Sequence, residues 1–355
     1  MLCSGLQAGD LKINKMGFNP KHSERMNEDL KKIEQEVNEL TNKLSDLKKE
    51  IHKVIVGQEE VLDQIIVSML ASGHILVEGM PGLAKTLMIK SISQALSLNF
   101  KRIQFTPDLM PTDILGTEVI EEDEHGHKKF KYNKGPIFSN IVLADEINRT
   151  PPKTQAALLE VMQEYSVTYG GTQYAMDKPF FILATQNPVE QSGTFPLPEA
   201  QTDRFLLYVL IGYPTESEES QILKQTTGKK PEPIKAVMSG EDLIKLQQFT
   251  RDVHIEDELI DKVSKLVRLS RPESSSVEEV KNYVDFGAGP RAGQAIILAS
   301  KAHALLHGRL AVTPKDITSV VYPAMRHRIM LNFRAESEGI ITDQVIKELV
   351  NTAKL

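Results

Sequence analysis

The sequence predicts an α/β class: a three-layer sandwich with a central parallel sheet, followed by an all-helical domain. Three observations carry this. Short apolar runs, Ile75–Val77, Ile103–Phe105, Ile141–Ala144 and Phe180–Ala184, alternate with helix-length stretches, Glu59–Ala71, Ala84–Leu96 and Pro152–Gln163. Such alternation buries a parallel sheet on both faces. Past Pro233 the strand runs give way to helical patterns, Glu241–Thr250, Glu256–Ser270, Arg291–His307 and Pro314–Met330. Finally, 355 residues with 41% hydrophobic and 25% charged content are enough for a sizeable core and more than one domain.

The elements follow in order. Residues 1–23 are polar with scattered Gly and Pro, and read as a disordered leader. Residues 24–53 read as an amphipathic helix: Leu30, Ile33, Val37, Leu40, Leu44, Leu47 and Ile51 recur at spacings of three and four. That seam suits a coiled coil to a partner or a helix lying on its own domain, and its short length favours the second. Residues 54–213 form the α/β core. It includes two hairpins, Val119–Ile120 with Lys129–Tyr132 turning near His125-Gly126, and Val167–Tyr169 with Gln173–Ala175 turning at Gly170-Gly171. Residues 214–234 are charged, with Gly228, Pro231 and Pro233, and read as a linker; residues 235–355 form the helical domain. Thr313-Pro314 supplies an N-cap with proline at the first helical position.

Composition narrows the function classes. The net charge is −6 and the pI about 5.9, which argues against broad nucleic-acid binding. Cys3 is the sole cysteine, so no intrachain disulfide or cysteine metal site is expected. Apolar runs fall short of the roughly 18 residues of a membrane span, and Lys12 and Lys15 follow the first apolar residues instead of preceding them. A soluble cytoplasmic protein is the expectation. His303, His307 and His327 sit on helices with no matching acidic ligand set and read as structural.

The stretch from Gly79 to Leu87 follows a strand and opens a helix. It fits a phosphate loop, with Ala84 before the lysine. Gly79 and Gly82 supply the turn, Lys85 the cation for the phosphates and Thr86 a hydroxyl for Mg2+. Pro81, Leu83, Ala84 and Leu87 complete the residues expected around the nucleotide. Ala84 is expected to have entered the helix already, with negative φ. The strand at Ile141 ends in Asp145 and Glu146. Asp145 is suited to the metal, and Glu146 to orienting and deprotonating the attacking water. The strand at Phe180 ends in Thr185, Gln186 and Asn187; Asn187 can position that water if its strand lies between the other two.

These motifs, "GMPGLAKT", "LADEINR", "ATQNP", "LPEAQTDRF" and "GAGPRA", resemble the AAA+ ATPases, and among them the MoxR family, from about Val54 to Leu331. The resemblance implies a P-loop NTPase core with a helical lid, ATP and Mg2+ as ligands, and a homo-hexameric ring. It also implies chaperone-like action on a protein partner carrying a von Willebrand A domain. By match to "VIVGQEE", it implies Val56, Gly57 and Gln58 near the base. It gives Asn187 the sensor position and Arg204 that of an arginine finger acting on the neighbouring subunit. Arg291 becomes a lid arginine reaching back to the γ-phosphate, and Arg149 faces the subunit boundary. The two hairpins are implied to face the ring axis and the partner. Two other functions are consistent with the motifs: a nucleic-acid-dependent motor or loader, and a nucleotide-gated binding module without significant turnover.

Overall fold

The computed structural model describes residues 20–122, 127–188, 193–228 and 232–355. In chain order the first half contains α1 (Pro20–His52), α2 (Glu59–Leu70), β1 (Ile75–Gly79), α3 (Lys85–Ala95), β2 (Phe100–Gln104), α4 (Pro111–Leu115), β3 (Gly116–Glu122), β4 (Lys128–Lys134), β5 (Ile141–Asp145) and α5 (Pro152–Glu164). Next come β6 (Ser166–Tyr169), β7 (Thr172–Ala175), β8 (Phe181–Gln186), α6 (Glu199–Thr202), β9 (Leu207–Ile211) and α7 (Glu216–Thr227). The last part comprises α8 (Gly240–Asp252), α9 (Asp257–Leu269), α10 (Glu278–Tyr283), β10 (Val284–Phe286), α11 (Pro290–Leu306), α12 (Pro314–Met325), β11 (Met330–Leu331), α13 (Phe333–Glu338) and α14 (Thr342–Ala353).

The chain divides into two compact units, Met1–Glu39 and Leu40–Leu355. Residues 1–19 of the expected leader lie outside the described residues, and the first helix begins at Pro20, ahead of residue 24. Within the second unit Leu40, Leu44, Leu47 and Ile51 are buried. Lys48 pairs with Asp63 on α2 at 2.6 Å and Lys43 with Asp242 on α8 at 3.2 Å. This part of the helix therefore lies on its own domain.

The five-stranded sheet is parallel, in the order β2-β5-β8-β1-β9. The inner strands are apolar and buried on both sides, as helix-covered parallel strands must be. Because all strands run the same way, Gly79, Asp145 and Gln186 end at one edge, where open α/β sheets bind ligands. The strand β8 does lie between β5 and β1, which puts Asn187 at the middle of that edge. The fifth strand, β9, is absent from the sequence-based set although its run "LYVLI" is apolar enough to suggest it.

The segment read as a linker contains helix α7. Its signal is local and not periodic. Thr215 accepts from the Glu218 N–H at 3.4 Å while the Glu218 carboxylate accepts from the Thr215 N–H at 2.8 Å, a capping box. The helix buries no residue, so it carries no apolar stripe. The expected helix Pro314–Met330 ends at Met325 and passes through a 3₁₀ turn at Arg326–Arg328 into the short strand β11.

Both expected hairpins form, as β3–β4 and β6–β7; the His125-Gly126 turn lies outside the described residues. An aromatic cluster joins the two hairpins. Tyr132 on β4 stacks on Tyr169 at 4.9 Å and meets Tyr174 at 4.6 Å between ring centroids.

Candidate active site

A cleft of about 400 Å³ opens at the C-terminal edge of the sheet. It is lined by Pro81, Gly82, Leu83, Ala84, Lys85, Thr86, Leu87, Arg102, Asp145, Glu146 and Asn187. Ten of these were expected from the sequence; Arg102 was not. Gly79 sits just before the loop, where β1 runs so close to β9 that a Cβ would stand 2.9 Å from the Ile211 carbonyl oxygen. Gly82 has φ of +86°, and a Cβ there would project into open space.

Ala84 departs from its expected conformation. It caps α3 with φ of +56° and ψ of 18°, in the left-handed region. The loop still turns at this residue, and helical geometry begins only at Lys85. A methyl group in that region costs about 1 kcal/mol, so the alanine is tolerated with strain and not without it. Lys85 Nζ donates to the Gly79 carbonyl at 2.6 Å, closing the loop on itself. Burial lowers its pKa, against the opposing pull of the Asp145, Glu146 and Glu78 carboxylates.

The acid pair is held by its neighbours. Asp145 ends β5 and is 8% exposed. Its Oδ1 accepts from Thr185 Oγ1 at 2.7 Å, and its Oδ2 accepts from Arg102 Nε and Nη2 at 2.9 and 2.7 Å. Glu146 has φ of +59°, a second left-handed non-glycine residue in the cleft. Its N–H donates to Thr185 Oγ1 at 2.8 Å, so one hydroxyl bridges both acids. Glu146 Oε2 accepts from Arg149 Nη1 at 2.9 Å and Gln104 Nε2 at 2.8 Å. Arg149, expected at a subunit boundary, is thus bound to the acid three residues before it. Asn187 is buried at the rim.

Val56, Gly57 and Gln58 do not line this cleft. Gln58 Nε2 donates to the Gly212 carbonyl at 3.2 Å, and a Cβ on Gly57 would collide with Glu218 Oε1 at 2.0 Å. Gln58 therefore meets the segment leaving β9, one residue beyond the Gly79–Ile211 register pair, and Gly57 lies against α7.

Arg204 and Arg291 lie together elsewhere. Both line a recess of about 230 Å³ with Asp203, Arg328 and His74. Arg204 is half-buried and its Nη1 donates to the Leu159 carbonyl at 2.8 Å. Arg291 Nη1 meets Asp203 Oδ2 at 3.4 Å, and its side chain is 56% exposed. Arg291 thus stands outside the cleft that holds Lys85, Asp145 and Glu146. Helix α11 packs on α2 and α12 on the edge strand β9, which seats the helical region beside the sheet.

Arg328, passed over in the sequence, anchors that seating. It is buried, with Nε on Asp203 Oδ1 at 2.6 Å and further bonds to the carbonyls of Asp203, Phe205, Leu206 and Ala324. His327 Nε2 donates to the Phe205 carbonyl at 3.0 Å, and burial holds its pKa well down. His303 Nδ1 pairs with Asp316 at 2.6 Å beside Arg309, a helix-capping cluster. Among the described residues no group of three His, Cys, Asp or Glu side chains is placed to hold a metal, and no helix is long and apolar enough to cross a membrane.

Comparison with known proteins bears on this geometry. Residues 74–207 match the ATPase family associated with various cellular activities (AAA), and residues 278–349 match the AAA lid domain. Chaperone MoxR1 of Mycobacterium tuberculosis is 42% identical over 86% of this chain and 80% of its own length. The uncharacterized protein YeaC of Bacillus subtilis is 41% identical over 86% of this chain and 92% of its own. A crystal structure of a candidate ATPase from Cytophaga hutchinsonii superposes with a TM-score of 0.84 at 40% identity, covering 91% of this chain and 98% of that one.

Proposed function

This chain belongs to the MoxR family of AAA+ ATPases, and on that premise we propose that two copies complete each hydrolytic site and that turnover remodels or activates a protein partner. One observation carries the reading. The cleft holds the loop, the lysine and both acids, while Arg204 and Arg291 stand together outside it. Phosphoryl transfer needs cations at the developing charge, and a neighbouring copy can supply them. A ring of six copies is carried over from the family resemblance.

The donor set fits a magnesium nucleotide. Thr86 hydroxyl and Asp145 carboxylate are hard oxygen donors in one cleft with Lys85, and the turn at Gly82 leaves room where a side chain would stand. Bound there, Mg2+ would offset phosphate charge. Lys85 exchanges the Gly79 carbonyl for the phosphates. Asn187 orients the attacking water, and Glu146 takes its proton at a carboxylate oxygen. Arg204 and Arg291 of the adjoining copy neutralise the transferring group.

The partner-facing surface in this reading is the β3–β4 hairpin. Ile120 and Phe130 stand opposite each other in register and are 60% and 73% exposed. Charges of both signs surround them, with Lys131 paired to Glu121 at 3.0 Å. An exposed apolar pair in a mixed rim suits a protein partner better than nucleic acid. The von Willebrand A domain partner remains the one implied by the family.

The decisive experiment measures ATP turnover per chain across a range of protein concentrations, with assembly size followed in parallel. Turnover per chain should rise as copies associate. A rate per chain that is flat through the association range overturns the shared site. In the same assay Glu146→Gln should retain ATP binding and lose about 10²-fold or more in turnover; an active variant would remove Glu146 as the base.

A further inference from the structure

We propose that Arg102 is a positioning residue that occupies the metal-binding carboxylate of Asp145 when the cleft holds no metal, so that its pairing and divalent-cation entry exclude each other. The proposal rests on the reading of Asp145 as a metal ligand. It deepens that reading by assigning a residue that neither the motifs nor the comparisons single out.

The geometry is specific. Arg102 and Gln104 lie at i and i+2 on β2, on one face of the strand. Arg102 places Nε and Nη2 on a single oxygen, Asp145 Oδ2, at 2.9 and 2.7 Å. Its Nη2 also donates to Gln104 Oε1, which fixes the plane of the guanidinium. Asp145 Oδ1 meanwhile accepts from the buried Thr185 hydroxyl at 2.7 Å. A carboxylate offers about four lone-pair positions, and three are used. Oδ2 is the more crowded oxygen, and both Asp145 and the Arg102 that crowds it line the cleft.

Two consequences follow. A divalent cation approaching Asp145 meets a positive charge within contact range, so the Arg102-paired carboxylate repels it. The guanidinium is also half exposed and hangs from a flexible stem, so it can leave without disturbing the core. Phosphates entering the cleft offer Arg102 an alternative partner and offer the cation additional oxygen ligands. Nucleotide and metal therefore enter together, and metal alone is refused. A merely structural ion pair would tie β2 to β5, but those strands are already joined by their backbone ladder from Phe100–Ile141 to Gln104–Asp145.

The test is Mn2+ binding to the full chain, read by the electron paramagnetic resonance signal of free Mn2+, without nucleotide and with saturating ADP. Arg102→Gln should bind Mn2+ about tenfold tighter than the unsubstituted chain in the absence of nucleotide. Adding Asp145→Asn to it should abolish the gain. Arg102→Lys, which keeps the charge but loses the fork, should fall between the two. Binding of a fluorescent ADP in chelator reports that each variant is folded. If Arg102→Gln fails that check, Arg102→Lys decides by the same Mn2+ comparison. Equal or weaker Mn2+ binding by the folded variants overturns the proposal. Failure of the unsubstituted chain to bind ADP would instead overturn the nucleotide reading, and the Mn2+ comparison still stands apart from it.

Discussion

The cleft at the sheet edge and the recess beyond β9 hold opposite charges in opposite states. In the cleft every acid is already answered. Asp145 is met by Arg102 and Thr185, and Glu146 by Arg149 and Gln104. In the recess Arg328 is committed to Asp203 at 2.6 Å, but Arg291 has only a 3.4 Å contact to the same carboxylate and Arg204 a single backbone carbonyl. The difference teaches where charge can be lent. The acids of the cleft are answered by side chains of their own chain, whereas the recess carries two cations held by little. A site assembled from both would take its acids from the first and its mobile positive charge from the second.

The largest expected effect breaks this division directly. Arg204→Ala should bind nucleotide normally and lose about 10³-fold in turnover, and Arg291→Ala should lose about 10²-fold. Each should recover part of its activity when mixed with Lys85→Ala, because one copy of the mixture then offers an intact cleft and the other intact cations. If Arg291→Ala shows no recovery while Arg204→Ala does, Arg291 serves its own cleft and the two cations must be separated.

A smaller effect sharpens the comparison through pH. His74 lies beneath the recess, buried, accepting from the Ile182 N–H at 3.1 Å and so donating from Nε2 to the Met162 carbonyl at 3.2 Å. Burial lowers its pKa to about 4. Above pH 6.5 the ring is neutral in both folded and unfolded chains and contributes no pH dependence. Between about 6.5 and 4 the unfolded chain takes up a proton that the fold refuses, so stability falls by roughly 3 kcal/mol over that window. Urea unfolding across this range should show the fall, and His74→Asn should remove that part of it. An identical pH profile for the variant would mean that the ring is not held neutral.

The smallest effect concerns the cleft. Ala84→Gly removes a methyl from a left-handed residue and should stabilise the chain by a few tenths to about 1 kcal/mol, after the entropy of a glycine is subtracted. A loss of stability would place Ala84 in ordinary helical geometry, as its position in the sequence first suggests.

Much of the cleft was legible because it is made of contiguous motifs at strand ends. Lys85, Thr86, Asp145, Glu146 and Asn187 each follow an apolar run, and a parallel sheet brings such ends to one edge. What escaped was set by distant packing or by geometry invisible in residue type. The φ of Ala84 depends on how the loop turns, not on its composition. The company of Arg291 depends on where α11 docks. The roles of Arg102 and Gln104 depend on β2 pairing with β5, although two polar residues at i and i+2 ending a strand were a signal. Helix α7 in the linker segment and α10 and α13 in the helical domain were missed because they are short or bury few side chains, and α14 was missed although it buries Val345, Ile346, Leu349 and Ala353.

Arg328 has one further consequence. A single side chain from the lid grips the carboxylate of Asp203 and four backbone oxygens, three of them belonging to the loop that carries Arg204. That loop cannot be displaced without dragging the lid, nor the lid turned without tilting the loop. A pull on residue 204 from outside is passed through this one guanidinium to the helical bundle as torque.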